Sequence, residues 1–242
     1  MKNKNELKTI MHTHKEQTKC MGLPIFLGYD DNNQPLIIDL AKVGNILVGG
    51  ATAQGKTNLL HAFAKSIYYA PKKVFEGCFV IYIDPQGIDG NRPYFDTYLT
   101  TMEEIREALE MLCDNIKILM SNPNLSFPPK MVLIDNFDHL VLMDKSIIEK
   151  IVSIAQRGPR VGIYTVLATA RLEHTILPAR LRIEMPTRVA FRVATAIESR
   201  GIIDTPEATL LTNKGEMLFS HNLKLTKLQT INVIDNNGEE NL

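Results

Sequence analysis

Tryptophan is missing altogether, and cysteine occurs only at Cys20, Cys78 and Cys113 in 242 residues. Three scattered thiols without a C-x-x-C pair make neither a disulfide frame nor a tetrahedral zinc site. His12 and His14 with Cys20 would be the one conceivable ligand set, but they lie in a polar, lysine-rich segment over residues 1–22 that reads as poorly ordered, so no structural metal is expected. No apolar run approaches the ~18 residues that a membrane-crossing helix requires. Met1–Thr18 is also too polar for a secretory leader, so the sequence predicts a cytoplasmic protein with no direct membrane insertion. Net charge is absent too, 27 basic residues balancing 27 acidic ones, and bulk electrostatics neither favour nor exclude a polyanionic partner.

A hydrophobic content of 45% is enough for a buried core, and the length suits one large domain with small appendages. The charge that is present is unevenly placed. Arg157, Arg160, Arg171, Arg180, Arg182, Arg188, Arg192 and Arg200 face only Glu173, Glu184 and Glu198 in their window, and the other arginines are Arg92 and Arg106. Guanidinium groups suit phosphate and carboxylate pairing, so this stretch either engages an anionic partner or closes intramolecular ion pairs.

The stretch that organises the chain is Gly50, Ala51, Thr52, Ala53, Gln54, Gly55, Lys56 and Thr57, which fills every fixed position of G-x-x-x-x-G-K-[ST]. Glycines there let successive N–H groups and the following helix N-terminus point at phosphate oxygens. Lys56 is expected to reach the β and γ phosphates, Thr57 to hold Mg²⁺ through its hydroxyl, and Asn58 to complete the nucleotide-binding run. Context agrees. Asn45–Val48 reads as a buried strand entering the loop, and Leu59, Leu60, Phe63, Ala64 and Ile67 recur at helical spacing until Pro71.

Before this loop, Leu23–Leu27 and Pro35–Leu40 flank the turn signal Asp30–Asn33 and predict a hairpin. After it, Cys78–Ile83 is a second strand running into Asp84 and Pro85, followed by a flexible, glycine-bearing stretch to Tyr98. Thr100 or Thr101, with Glu103 or Glu104 three residues on, forms a capping box for a helix to about Met120. Met131–Ile134 is a third strand, and Asp135 at its carboxyl end is the acid expected to orient the Mg²⁺ shell. Asp144 is expected to cap a helix with Ile147, Ile148, Ile151, Ile154 and Ala155 on one face. Further strands are read at Gly162–Thr169, Arg188–Val193, Gly215–Ser220 and Leu223–Ile234, ahead of a polar tail from Asp235. Strands alternating with helices, and apolar throughout, predict an α/β fold whose mainly parallel sheet is covered on both faces. Ligands in such folds sit at the carboxyl ends of the strands, where the loop, Asp84, Asp135 and Thr169 converge. Asn213-Lys214-Gly215-Glu216 only approximates the guanine-reading N-K-x-D run and lies before a strand, so adenine is the expected base.

In order and approximate spacing, Asp39–Lys42, Gly49–Thr57, Ile83–Pro85, Leu133–Asp138, Gly162–Arg171, Pro186–Phe191 and Glu198–Asp204 resemble the FtsK/SpoIIIE family of DNA-pumping ATPases over about Leu23 to Phe219. The resemblance implies a RecA-like phosphate-loop NTPase fold over residues 23–234, ATP and Mg²⁺ as cofactors, and a homo-oligomeric, hexameric ring threading double-stranded DNA. It further implies nucleotide sites between neighbouring subunits, with Arg171, Arg188 or Arg200 reaching a neighbour's γ-phosphate as an arginine finger. Long members of the family also carry membrane helices, a linker and a winged-helix module, and a membrane-anchored partner could supply the first of these.

The departures bear on turnover. Asn136 stands where the family usually has the glutamate that polarises water, Ala170 replaces the glutamine of A-T-Q-R, and Gln86 replaces the lysine of D-P-K. An amide takes no proton at neutral pH, and loss of a general base costs roughly 10²–10⁴-fold in rate. Asp138 is the nearest other carboxylate, offset by part of a helical turn. Slow ATP hydrolysis is therefore expected. The competing readings are a non-hydrolysing nucleotide-binding assembly module and a type VII secretion-like ATPase domain acting on protein.

Overall fold

A computed structural model describes residues 6–70 and 78–234. Pro71 and the tail from Asp235 lie outside them. The hairpin forms as expected, β1 (Pro24–Tyr29) against β2 (Pro35–Asp39), with the Asp30 carboxylate accepting from the Asn32 and Gln34 N–H groups to hold the turn. Helices α1 (Glu6–Thr13) and α2 (Lys15–Thr18) precede it. From residue 6 onward they correct the expectation of a poorly ordered segment over residues 1–22, of which residues 1–5 lie outside the described residues. Leu7, Ile10 and Met11, at i, i+3 and i+4, are buried with Phe26, Ile37, Ala62 and Ile231, which pays for ordering a short polar helix.

After α3 (Leu40–Val43), capped by Asp39, the chain enters β3 (Ile46–Gly49), the phosphate-loop segment and α4 (Lys56–Tyr69). β4 (Phe79–Ile83) and β5 (Thr97–Leu99) follow, then α5 (Met102–Ser121) with the predicted capping box between Thr101 and Glu104. β6 (Lys130–Ile134) leads into α6 (Phe137–Met143) and α7 (Ile147–Arg157). β7 (Ile163–Thr169), α8 (Ala179–Ile183), β8 (Thr187–Phe191), α9 (Ala196–Ile203), β9 (Glu216–His221) and β10 (Lys224–Gln229) complete the order.

Among the described residues, ten strands join one sheet in the order β2-β1-β10-β9-β8-β3-β7-β6-β4-β5. From β8 to β5 the neighbours are parallel, and from β8 through β9 and β10 to the hairpin they are antiparallel. The hairpin is thus the far edge of the nucleotide sheet. Alternation along β3 explains the layering: Ile46 and Val48 pack with Leu59, Leu60 and Phe63 of α4, whereas Leu47 faces the layer of α5, α6 and α7. Ile147, Ile151 and Ile154 are each 1% exposed or less, and burying a side chain of that size contributes roughly 1.5–3 kcal/mol.

Two local expectations are corrected. Asp144 ends α6 and accepts from the Ser146 N–H, while Ser146 occupies the position before α7. The stretch after β4 is anchored: Tyr94 and Phe95 are buried, Phe95 stacks on Tyr82 at 4.3 Å, and Thr97–Leu99 pairs with β4. Aromatic burial outweighs the turn-forming glycines there.

Candidate nucleotide site

Parallel β3, β4, β6 and β7 end together, so the loops after them share one edge of the sheet. The segment after β3 turns through left-handed backbone at Gly50 (φ 148°), Ala53 (φ 61°) and Gly55 (φ 122°). A Cβ on Gly50 would lie 2.6 Å from the Phe191 Cβ, so bulk is excluded as well as disfavoured conformation. Arg192 O holds the loop through the Ala51 N–H at 2.9 Å, and Gln54 O accepts from the Gly215 N–H at 3.1 Å. Ala51, Thr52 and Ala53 form an exposed tip. Lys56 then starts α4, whose first turn has N–H groups without intrahelical acceptors.

Lys56 is buried, and its Nζ donates to Gly50 O at 2.9 Å and Ala51 O at 3.0 Å. Burial draws the ammonium below the ordinary lysine value, while Asp135 and Asp138 act in the opposite direction. Thr57 Oγ1 donates to Asp135 Oδ2 at 2.6 Å. Asp135 is 1% exposed, and its own Oδ1 accepts the Asn136 N–H at 2.9 Å. Burial raises the Asp135 carboxyl, and the bonds from Thr57 and Asn136 only partly offset that. A hydroxyl beside a buried carboxylate that lacks full compensation is an oxygen donor set fitted to a hard divalent cation.

Asn58 behaves differently from the expectation. Its amide donates to Ile231 O at 2.6 Å and accepts from the Val233 N–H at 2.8 Å, which turns the side chain to the C-terminal segment. Asn136 does not extend the strand. It adopts left-handed backbone (φ 47°, ψ 45°), a region in which asparagine is tolerated, and α6 begins directly after it. Asp138 is thereby brought to the end of β7, its Oδ1 3.3 Å from Thr169 Oγ1 and from Ala170 N.

Of the arginines, Arg180 pairs with Glu149, and Arg182 and Arg188 both pair with Asp204. Arg188 also donates to Met185 O and Ile202 O, so it is tied within the chain. Arg171 is 55% exposed, with its Nε 3.9 Å from Asp138 Oδ2. Arg200 is exposed, and among the described residues no carboxylate pairs with it.

Sequence reasoning missed a polar chain behind Asp135. Tyr82 OH donates to Asp89 Oδ2 at 2.6 Å and lies 3.2 Å from Asp135 Oδ2. His61 Nε2 is 3.3 Å from the same Asp89 oxygen, and its Nδ1 is 2.8 Å from Tyr94 OH. Burial pushes the Asp89 carboxyl up, but contacts with His61 and Tyr82 outweigh it, and the net shift is downward. The clue was His61 at an inward position of α4. Asp84, expected in the site, spends its carboxylate on the Gln86, Ile88 and Asp89 N–H groups and the Tyr98 hydroxyl.

Comparison with known proteins agrees with this architecture. The profile of the FtsK/SpoIIIE family matches residues 6–118. The DNA translocase FtsK of Haemophilus influenzae is 27% identical over 88% of this chain and 49% of its own length. The DNA translocase SftA of Bacillus subtilis is 27% identical over 90% of this chain and 25% of its own. The chain thus spans half or less of the length of these relatives. Among solved structures, the pCW3 conjugation coupling protein TcpA in a monomer form with ATPγS superimposes with a TM-score of 0.76 at 18% identity, covering 89% of this chain and 68% of that one. The cytoplasmic domain of the type VII secretion ATPase EccC of Thermomonospora curvata gives a TM-score of 0.67 at 21% identity, covering 90% and 29%.

Proposed function

We propose that this chain, a homologue of the FtsK/SpoIIIE DNA translocases, is the ATP-binding motor domain of a DNA-translocating or coupling ATPase. The observation that carries the reading is the meeting of Thr57 Oγ1 and Asp135 Oδ2 at 2.6 Å beside a buried Lys56, at the carboxyl edge of a parallel sheet. Phosphate oxygens accept from the N–H groups of the Gly50–Thr57 loop and the first turn of α4. Lys56 exchanges the Gly50 and Ala51 carbonyls for the β and γ phosphates. Thr57 and Asp135 are the residues that would hold Mg²⁺, which supplies neutralising charge when bound.

The same reading makes the domain cytoplasmic and ring-forming, a hexamer around double-stranded DNA, with a membrane-anchored partner providing attachment. Arg171 and Arg200 are its arginine-finger residues, because they are exposed where Arg188 is tied to Asp204. Asn136 and Ala170 favour a second reading, an assembly module that holds ATP without turnover. Phosphate release by the purified chain, with MgATP and with or without linear duplex DNA, separates the two. Stimulation by the duplex is the expected result. ATP binding with no response to DNA would reject the motor.

A further inference from the structure

Four carboxylates, Asp84, Asp89, Asp135 and Asp138, gather at or behind the ends of β4 and β6, and three are committed elsewhere. Asp84 holds its own turn, Asp89 accepts from Tyr82, and Asp135 accepts from Thr57 and the Asn136 N–H. Asp138 differs. Its side chain is 18% exposed, and its contacts with Thr169 Oγ1 and Ala170 N are both 3.3 Å, at the long limit for a hydrogen bond. The one proton of the Thr169 hydroxyl goes to Arg171 O at 2.8 Å, so that hydroxyl does not also donate to Asp138. The nearest guanidinium nitrogen described, Arg171 Nε, is 3.9 Å away. Asp138 therefore retains acceptor capacity at the end of β7, where Thr169 pairs with Gly49 at the entry to the phosphate loop.

The backbone explains how it gets there. Left-handed Asn136 breaks the line of β6 and starts α6 at once, so the first turn of α6 presents Asp138 toward Thr169. Position 136 serves the bend, and position 138 supplies the carboxylate.

We propose that Asp138 orients and deprotonates the water that attacks the γ-phosphate, a catalytic task the amide of Asn136 cannot perform. In that step the water oxygen bonds to Pγ while the bond from Pγ to the β–γ bridging oxygen breaks. One water proton passes to the Asp138 carboxylate and then to solvent, leaving ADP and inorganic phosphate. The inference rests on the ATP-binding reading and adds the group that completes hydrolysis.

The test compares the full chain with Asp138→Asn and Asp138→Glu. ATPγS affinity is measured by titration, phosphate release is measured with and without duplex DNA, and the ATP-to-ADP ratio of bound nucleotide is read after one round of mixing. Asp138→Asn should bind ATPγS within about threefold of the parent, lose roughly 10²-fold or more of its phosphate release, and retain bound ATP where the parent holds ADP. Asp138→Glu should recover part of the loss. Release by Asp138→Asn within threefold of the parent would overturn the inference, as would ATPγS binding lost along with release, or a parent that binds ATP and releases no phosphate at all. Failure of the parent to bind nucleotide would instead remove the ATP-binding reading itself, and with it this inference.

Discussion

Thr57 Oγ1 and Asp135 Oδ2 lie 2.6 Å apart although 78 residues separate them in the chain. The pair joins the first turn of α4 to the end of β6 across the sheet edge. Thr57→Ala should weaken binding of ATP in the presence of Mg²⁺ by about tenfold or more, because it removes one of the oxygen ligands that would hold the cation, while binding without Mg²⁺ changes far less. Equal losses in both conditions would show that Thr57 serves the fold and not the cation.

Asn136→Glu probes the bend. Glutamate at φ 47° is strained by roughly 1–2 kcal/mol, so urea unfolding should show that much loss of stability. With Asp138 already supplying a carboxylate, phosphate release should rise by less than about threefold. A rise of tenfold or more would mean that the parent lacks a base.

Asn58→Ala removes two hydrogen bonds to the segment that covers the start of α4. Each contributes about 1 kcal/mol net, so the chain should lose about 2 kcal/mol of stability, with ATP affinity nearly unchanged. An affinity loss larger than the stability loss would return Asn58 to the binding site.

Glu216 gives a pH dependence. Its carboxylate accepts from the Asn213 and Thr212 N–H groups and pairs with Lys227 at 3.2 Å, and its pKa is lowered to about 2. A depressed carboxyl contributes stability that is present above the unfolded value, near 4.5, and is lost as pH falls from there toward about 2. Glu216→Gln should therefore destabilise the chain at pH 7 and flatten the acid limb of its stability profile below pH ~5. An unchanged acid limb would contradict this.

Much of the site was legible because its signals are local. The G-x-x-x-x-G-K-T run fixes the loop backbone, short uninterrupted apolar runs mark β3, β6 and β7 as strands buried on both faces, and Thr101 with Glu104 fixes the start of α5. What escaped depends on partners distant in sequence. Residues 6–13 read as solvent-facing until Phe26, Ala62 and Ile231 appear against Leu7, Ile10 and Met11. Asn58 matched a binding run, but its amide is taken by residues 231 and 233. α6 did leave a trace in Phe137, Leu140 and Val141 at i, i+3 and i+4, and α9 in the Thr195–Glu198 capping box; both segments are too short for periodicity to stand out from flanking loops. The Tyr82–Asp89–His61 chain left only an inward-facing His61 as its trace, because its members come from α4, β4 and the segment after β4.

Titrating ATP with Mg²⁺ into the parent chain and into Lys56→Ala tests the central claim most directly. Saturable binding to the parent, with affinity falling by about 100-fold or more in a variant that remains folded, is the predicted result. Equal affinities in the two chains would show that the nucleotide, if it binds, does so somewhere other than the loop between β3 and α4.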